Sequence, residues 1–147
     1  MPLHLIKLCV GVDSIEELAA WQGERLRQRR KLGERRPRLF HRTLQTPRRR
    51  AELLGGGSLY WVIKGLVQVR QPLLDLVEGA REDGSPCCLL ILKNELVAVR
   101  PLPRRAFQGW RYFDADDAPP DLRRGSATGI AVMPPRLRKQ LAELGLL

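Results

Sequence analysis

Aromatic residues, cysteine and histidine are all scarce in this sequence. Phe, Trp and Tyr together make up 5% of its 147 residues, and there are three cysteines and two histidines. With 44% hydrophobic and 29% charged residues, the composition is typical of a globular protein and excludes a collagen-like chain, an extended coiled coil and a disulfide-rich scaffold. No run of about 18 uncharged apolar residues occurs, so the sequence predicts no membrane-spanning helix.

The cysteines predict a protein of a reducing compartment. Cys87 and Cys88 are adjacent and seldom bridge each other, and an odd count leaves Cys9 without a partner. Met1 to Val10 has the pattern of a first strand rather than of a signal peptide, so we expect a cytoplasmic location. Packing in the core is the favoured role of the adjacent cysteines, ahead of a nucleophilic one.

Patterns that carry chemistry are also missing. There is no C-x-x-C, and His4 and His41 are far apart, so we expect no metal site. Gly55 to Gly57 precede a strand and are not followed by Gly-Lys-Ser/Thr, which excludes a phosphate-binding loop of that class. Tyr60 stands where a nucleophile elbow needs its final glycine. Capping a turn is favoured over cation binding for the carboxylates of residues 114–117. We therefore predict no catalytic residue and no cofactor.

Positive charge is concentrated in one segment. The chain carries a net charge of +10, but the segment from Arg25 to Arg50 holds twelve Lys or Arg side chains and one acid, Glu34, for a net charge of +11. The rest of the chain sums to −1. A localised field of this kind attracts polyanions, with nucleic acid favoured and an anionic membrane surface second. The alternative is a solvated charged surface without a partner.

From this segment we select ten candidate phosphate contacts. They are Arg25, Arg29, Arg30, Lys31, Arg35, Arg36, Arg38, Arg48, Arg49 and Arg50.

Local patterns predict a mixture of helices and strands. A strand over 3–10 precedes Ser14 and Glu17, which form a capping box for a helix over about 15–31. A strand over 39–44 and a short helix over 48–54 follow. Polar and apolar residues alternate from Ser58 to Arg70, which predicts one long strand with a bulge or bend at Gly65.

The second half of the chain is predicted to be mainly strand. Residues 87–92 and 96–99 indicate a hairpin, and 107–113 an aromatic strand or turn. A last strand over 127–132 precedes a helix that begins near Pro134. The order predicts a single α+β domain over 1–147, with a mostly antiparallel, bent sheet or small barrel flanked by helices.

Two clusters of aromatic and polar residues are candidates for a base-binding pocket. The alternation places Tyr60, Lys64, Gln68 and Arg70 on one exposed face of the predicted long strand. Gln108, Trp110 and Arg111 combine the same ingredients, since aromatic faces stack on bases and Arg holds phosphates. We expect Trp61 to be a core residue. For Trp110, a core role and a ligand-contacting role are equally compatible with the sequence.

Three blocks resemble a bacterial family of domains of unknown function, of the DUF1489 type. They are HLIKLCVGVDSIEELAAWQ (4–22), GGGSLYWVIKGLVQVRQ (55–71) and FQGWRYFDADDAPPDL (107–122). The resemblance implies a single bacterial cytosolic domain and no mechanism. The layout of a helix, a glycine turn and the strand LYWVIKG (59–65) is also similar to that of PUA-like barrels, including ASCH and EVE domains. That likeness implies binding of RNA or modified bases.

These observations favour a non-catalytic RNA-binding domain. The basic segment would contact phosphates, and a pocket of Tyr60, Lys64, Arg70, Gln108, Trp110 and Arg111 would hold a base. Two alternatives remain open at this point: an enzyme acting on a nucleotide or small anionic substrate, and a module whose basic helix binds an acidic protein partner.

Overall fold

The computed structural model describes residues 2–122, which form seven strands and two helices. In chain order these are β1 (Leu3–Leu8), α1 (Ile15–Lys31), β2 (Leu39–Thr43), α2 (Arg50–Leu54), β3 (Ser58–Ile63), β4 (Leu66–Ala80), β5 (Pro86–Leu92), β6 (Val97–Pro103) and β7 (Trp110–Asp114). The strand predicted over 127–132 and the helix predicted from Pro134 lie outside the described residues.

The strands form one mostly antiparallel sheet. Its order is β2-β5-β4-β3-β1-β7, and β6 pairs with β4 beside this path. Only the β1–β3 pair is parallel among the described strands. The α+β class and the antiparallel sheet are confirmed. The alternative of a small closed barrel is wrong, because within residues 2–122 the end strands β2 and β7 do not pair with each other.

The single long strand predicted over 58–70 is two strands joined by a tight turn. Lys64 and Gly65 both have positive φ, 52° and 77°, and Ile63 pairs with Leu66 on either side of them. Two consecutive residues with positive φ form a turn whose twist matches that of the flanking antiparallel strands. The alternation therefore runs through a reversal of the chain, and Tyr60 pairs with Arg70 across the two strands.

The prediction that this strand has an exposed polar face is also wrong. Trp61 pairs with Val69 and Val62 with Val67, so Gln68 is an extra residue in a β-bulge. The Gln68 side chain is buried and donates a hydrogen bond of 2.8 Å to the Ile63 carbonyl oxygen. Tyr60 is buried as well. The shifts made by the turn and the bulge cancel, so the cross-strand partners Tyr60 and Arg70 lie on one face, but the smaller core covers Tyr60 there. These side chains therefore do not form a solvent-facing surface.

The predicted hairpin of residues 87–92 and 96–99 does not form. Its two strands exist as β5 and as part of β6, but each pairs with β4 rather than with the other. β5 pairs with Leu73–Ala80 of β4, and β6 pairs with Leu66–Arg70. The connection at 93–96 thus leads from one part of β4 to the next instead of reversing the chain.

Two hydrophobic clusters lie on opposite faces of the central strands. Leu18 and Leu26 of α1 belong to the larger cluster together with Leu5, Leu59 and Trp61, which confirms the core role of Trp61. The smaller cluster is formed by residues of β1, β3, β4, β6 and β7: Ile6, Tyr60, Val62, Val67, Val99 and Phe113. Alternate residues of β1 and β3 therefore contribute to different cores.

Helix α1 begins as the sequence predicts. The Ser14 hydroxyl accepts a hydrogen bond of 3.1 Å from the Glu17 backbone N–H, and the Glu17 carboxylate accepts one from the Asp13 N–H. Further along the helix, Gln22 is buried and exchanges two side-chain hydrogen bonds with Gln71 of β4, at 2.9 and 3.0 Å. The cap fixes where the helix starts, and the amide pair fixes its position on the sheet.

Neither α1 nor α2 is long and apolar enough to cross a membrane.

Candidate nucleic-acid interface

Strand β7 presents two different surfaces. Its side chains alternate, so Trp110 and Tyr112 lie on the face of the larger core, while Arg111 and Phe113 lie on the face of the smaller one. β7 pairs antiparallel with β1, and Lys7 is the partner of Trp110 in this register. The pairing places a lysine of β1 beside the indole, although the two residues are far apart in sequence.

The aromatic pair of β7 holds the loop between β2 and α2, residues 44–49, which we name the basic loop. The Trp110 indole N–H donates to the Gln45 carbonyl oxygen at 2.8 Å. The Tyr112 hydroxyl accepts from the backbone N–H groups of Arg48 and Arg49, at 2.9 and 3.2 Å. The two rings meet edge to face, with centroids 4.9 Å apart. One end of the basic segment is therefore fixed against β7.

This arrangement forms a cleft of about 450 Å³ beside Trp110, which we name the Trp110 cleft. Its lining comes from β1, from β2 with the basic loop, and from the end of the β6–β7 connection with the first residue of β7: Lys7, Arg42, Thr43, Leu44, Gln45, Gln108, Gly109 and Trp110. A second hollow of about 460 Å³ is lined by Trp110, Tyr112 and residues of the basic loop, Gln45, Thr46 and Arg48. The two hollows share Gln45 and Trp110, so cations, an amide and aromatic rings lie along one surface.

The pKa values of Lys7 and His41, near the cleft, are both lowered. Burial lowers the pKa of Lys7. Burial, together with the positive charges of Lys7 and Arg25, lowers the pKa of His41 to about 4. His41 packs edge-on against Trp61 with ring centroids 5.1 Å apart. His41 is therefore neutral near pH 7 and adds no charge.

Four of the ten candidate phosphate contacts bond to carboxylates of the protein itself. Arg29 pairs with Glu34 at 2.7 Å and Arg38 with Asp75 at 3.8 Å. Arg50 also pairs with Asp75, and Arg49 pairs with Glu52. Such partly exposed pairs contribute little to stability.

The other six candidates have no carboxylate partner among residues 2–122: Arg25, Arg30, Lys31, Arg35, Arg36 and Arg48. Arg25 instead lies over the Trp21 ring, 4.3 Å from its centroid. A substantial part of the positive charge predicted for the basic segment thus remains without an internal counter-ion in the described part of the chain.

Residues 2–122 do not bring the six predicted pocket residues together. Tyr60 lies in the smaller core, edge-on to His4 and Phe113. Lys64 is in the β3–β4 turn and forms an ion pair of 3.3 Å with Asp13. Arg111 lies on the opposite face of β7 from the Trp110 cleft, over the Phe107 ring. Only Gln108 and Trp110 line the cleft.

The guanidinium of Arg70, another predicted pocket residue, is already paired with a carboxylate of the protein. Its guanidinium forms two hydrogen bonds to the Asp121 carboxylate, at 2.7 and 2.8 Å, and a third of 3.0 Å to the Ser58 hydroxyl. The bond to Arg70 lowers the pKa of Asp121, and the same bond raises the pKa of Arg70. This bidentate pair fastens β4 to the loop after β7, so we assign Arg70 a structural role.

Several lining residues were not among the sequence-based candidates, notably Lys7, Arg42 and Gln45. Their proximity to Trp110 depends on the pairing of β1 with β7 and on the hydrogen bonds to the basic loop, which link residues more than sixty positions apart. Two local signals exist: Arg42 lies within the basic segment, and Lys7 is a charged residue in β1, whose other residues except His4 are apolar.

The thiols do not provide an alternative chemistry. Burial raises the pKa of Cys9 to about 11, so its thiol is protonated near pH 7. Burial also raises the pKa of Cys88, and Cys87 and Cys88 are both buried, which confirms their core role. Within residues 2–122 no group of three or more His, Cys, Asp or Glu side chains could hold a metal ion.

Comparison with known proteins places the chain in a family without assigning it an activity. No curated protein and no solved structure matches it. The model of one protein family, described as "Protein of unknown function (DUF1489)", matches residues 5–147. Because this match covers nearly the whole chain, the protein belongs to the DUF1489 family.

Proposed function

We propose that this protein binds RNA and does no chemistry on it. The basic segment contacts phosphates, and the Trp110 cleft receives a nucleotide of the same strand. The reducing environment expected for three free cysteines supports a cytoplasmic location as part of this proposal.

The observation that carries the proposal is the attachment of the basic loop to β7. Two backbone N–H groups of this loop bond to the Tyr112 hydroxyl, and its Gln45 carbonyl accepts from the Trp110 indole. The attachment puts Arg42 and Lys7 on the walls of the cleft that Trp110 and Gln108 complete. Cations beside an aromatic ring and an amide are the combination with which proteins hold single-stranded RNA.

Each part of the surface has a distinct role in this account. Arg42, Arg48 and Lys7 supply the electrostatic attraction, which does not depend on sequence. The Gln108 amide can donate to and accept from a base edge. Tyr112 is 36% exposed, and the Arg49 guanidinium lies over its ring, 5.4 Å from the centroid, so a cation and an aromatic ring are held together beside the cleft. The remaining cations of the basic segment extend the positive surface along α1 and beyond it.

The test is a titration of labelled single-stranded RNA with the full chain at several salt concentrations. We expect affinity to fall steeply with salt, since bound phosphates release counter-ions. The double variant Arg42→Ala/Arg48→Ala should reduce the slope of log affinity against log salt by roughly 1.4, because each removed arginine leaves about one phosphate with its counter-ions still bound and each phosphate of a single strand contributes about 0.7.

Arg81→Ala is the matched control, because Arg81 is an exposed arginine between β4 and β5 that lines neither the Trp110 cleft nor the second hollow. This variant should keep the slope of the unmodified protein. Absence of binding, or binding with the same affinity at every salt concentration, would contradict the proposal. An equal slope for the double variant would contradict the assignment of Arg42 and Arg48.

A further inference from the structure

A second arginine cluster surrounds a cavity on the other face of β7. This cavity has a volume of about 490 Å³ and is lined by Arg104, Arg105 and Arg111, together with Phe107 and Phe113. Ile6 of the smaller core also contributes to its wall. This cavity shares no lining residue with the Trp110 cleft, although Tyr112 lines both this cavity and the second hollow.

Aromatic rings position two of the three guanidinium groups. The guanidinium carbon of Arg104 lies 5.3 Å from the Phe113 ring centroid, and that of Arg111 lies 4.9 Å from the Phe107 centroid. The Arg104 backbone N–H also donates to the Gly65 carbonyl oxygen at 2.9 Å. This bond anchors the start of the connection between β6 and β7. Contact between a guanidinium face and a ring holds the group in place without consuming its N–H donors.

The cavity carries an excess of positive charge. Its lining includes one carboxylate, that of Asp117, against three arginines. Within residues 2–122, none of the three guanidinium groups forms an ion pair with a carboxylate. This contrasts with Arg70, whose guanidinium is occupied by Asp121. The donors of Arg104, Arg105 and Arg111 are thus available to an external anion.

We propose that this cavity binds a small-molecule phosphate monoester, with the phosphate held by the three arginines. The forked guanidinium donors match phosphate oxygens, and their bidentate bonds are among the stronger hydrogen bonds of proteins. A volume of about 490 Å³ falls within the range of small-molecule sites and exceeds what a phosphate alone would fill. Phe107, which is half-buried and packs on the smaller core, supplies apolar surface for the organic part of the ligand.

The experiment is calorimetric titration of the full chain with three probes: AMP, inorganic phosphate and adenosine. We expect AMP to bind more tightly than inorganic phosphate and adenosine to show no binding, because the arginines hold the phosphate. The double variant Arg105→Ala/Arg111→Ala should weaken AMP binding about 10- to 100-fold. Arg111→Lys should recover only part of the affinity, since an ammonium group keeps the charge but lacks the fork.

Two controls separate this site from the RNA surface. Arg81→Ala and the cleft variant Arg42→Ala/Arg48→Ala should both bind AMP as the unmodified protein does, and each variant's thermal unfolding verifies its fold. An RNA oligonucleotide without terminal phosphates should not displace AMP.

The proposal is overturned if neither AMP nor phosphate binds, if adenosine binds as well as AMP, or if the arginine double variant keeps its affinity. Displacement of AMP by the unphosphorylated RNA would also overturn it, because the cavity would then belong to the RNA surface. Failure of the chain to bind RNA would leave this site unaffected.

Discussion

Replacing Gly57 with alanine should lower the free energy of unfolding by more than about 3 kcal/mol, because the added methyl group has no space. A Cβ atom at this position would overlap the backbone carbonyl oxygens of Leu3 and Leu53. Gly57 also donates to the Leu53 carbonyl at 2.8 Å and accepts from the Leu73 N–H at 3.0 Å. Since the obstructing atoms belong to the backbone of β1 and α2, a side-chain rotation cannot relieve the clash.

Chemical denaturation followed by circular dichroism measures this effect, with Gly23→Ala as the matched control. Gly23 lies inside α1, and a Cβ there would meet no atom within 4 Å. This control should gain about 0.5 to 1 kcal/mol, because alanine restricts the unfolded chain and favours the helix. A Gly57→Ala protein as stable as the unmodified one would show that β1 and α2 do not approach each other as described.

Replacing Gln71 with leucine should lower the free energy of unfolding by about 2 to 4 kcal/mol, because three polar partners lose their hydrogen bonds. The Gln71 side-chain oxygen accepts from Gln22 and from the Trp61 indole, at 2.9 and 3.1 Å. Its amide nitrogen donates to the Gln22 side chain and to the Lys93 carbonyl oxygen. Gln71 is fully buried, so water does not replace these bonds in the variant.

A double-mutant cycle tests the coupling between helix and sheet. Gln22→Leu alone should cost less than Gln71→Leu, since it leaves Gln71 bonded to Trp61 and Lys93. The double variant should be less destabilised than the sum of the two single variants, by about 0.5 to 3 kcal/mol. Strict additivity would mean that the two amides do not bond to each other.

Local patterns in the sequence predict those parts of the fold whose causes are local. Ser14 and Glu17 mark the start of α1 because their hydrogen bonds join neighbouring residues. The apolar run of β5 is a strand whatever its partner is. The pairing of β5 with β4, by contrast, depends on contacts along the whole of β4. Short apolar strands carry no local signal for the strand they join, so a hairpin was the simplest prediction and was wrong.

The turn at Lys64 shows a second limit of predicting structure from local sequence patterns. The turn pairs Ile63 with Leu66, three positions apart, which shifts the alternation by one residue, and the extra residue Gln68 shifts it back. Alternation in the sequence therefore continues through the reversal. Gly65 indicates a departure from regular geometry, but the sequence alone does not distinguish a bulge from a turn. The bulge at Gln68 buries an amide that the sequence pattern assigns to solvent.

The candidate site, like the fold, has one part that the sequence predicts and another that only the structure shows. The density of positive charge and the presence of Gln108 and Trp110 are readable from the sequence. The ion pairs of the arginines cannot be read from the sequence, since Asp75 of β4 pairs with both Arg38 and Arg50, which are distant from it in the sequence. Lys7 and Arg42 join Trp110 only when β1 and the basic loop are placed against β7.

The most direct test of the RNA surface is photocrosslinking of the full chain to RNA that contains 4-thiouridine, with the crosslinked peptides identified by mass spectrometry. The account predicts crosslinks in the basic loop and adjoining β2, and in the segment from Gln108 to Tyr112. Crosslinks confined to the β4–β5 connection around Arg81, or none under conditions in which a known RNA-binding protein is labelled, would contradict it.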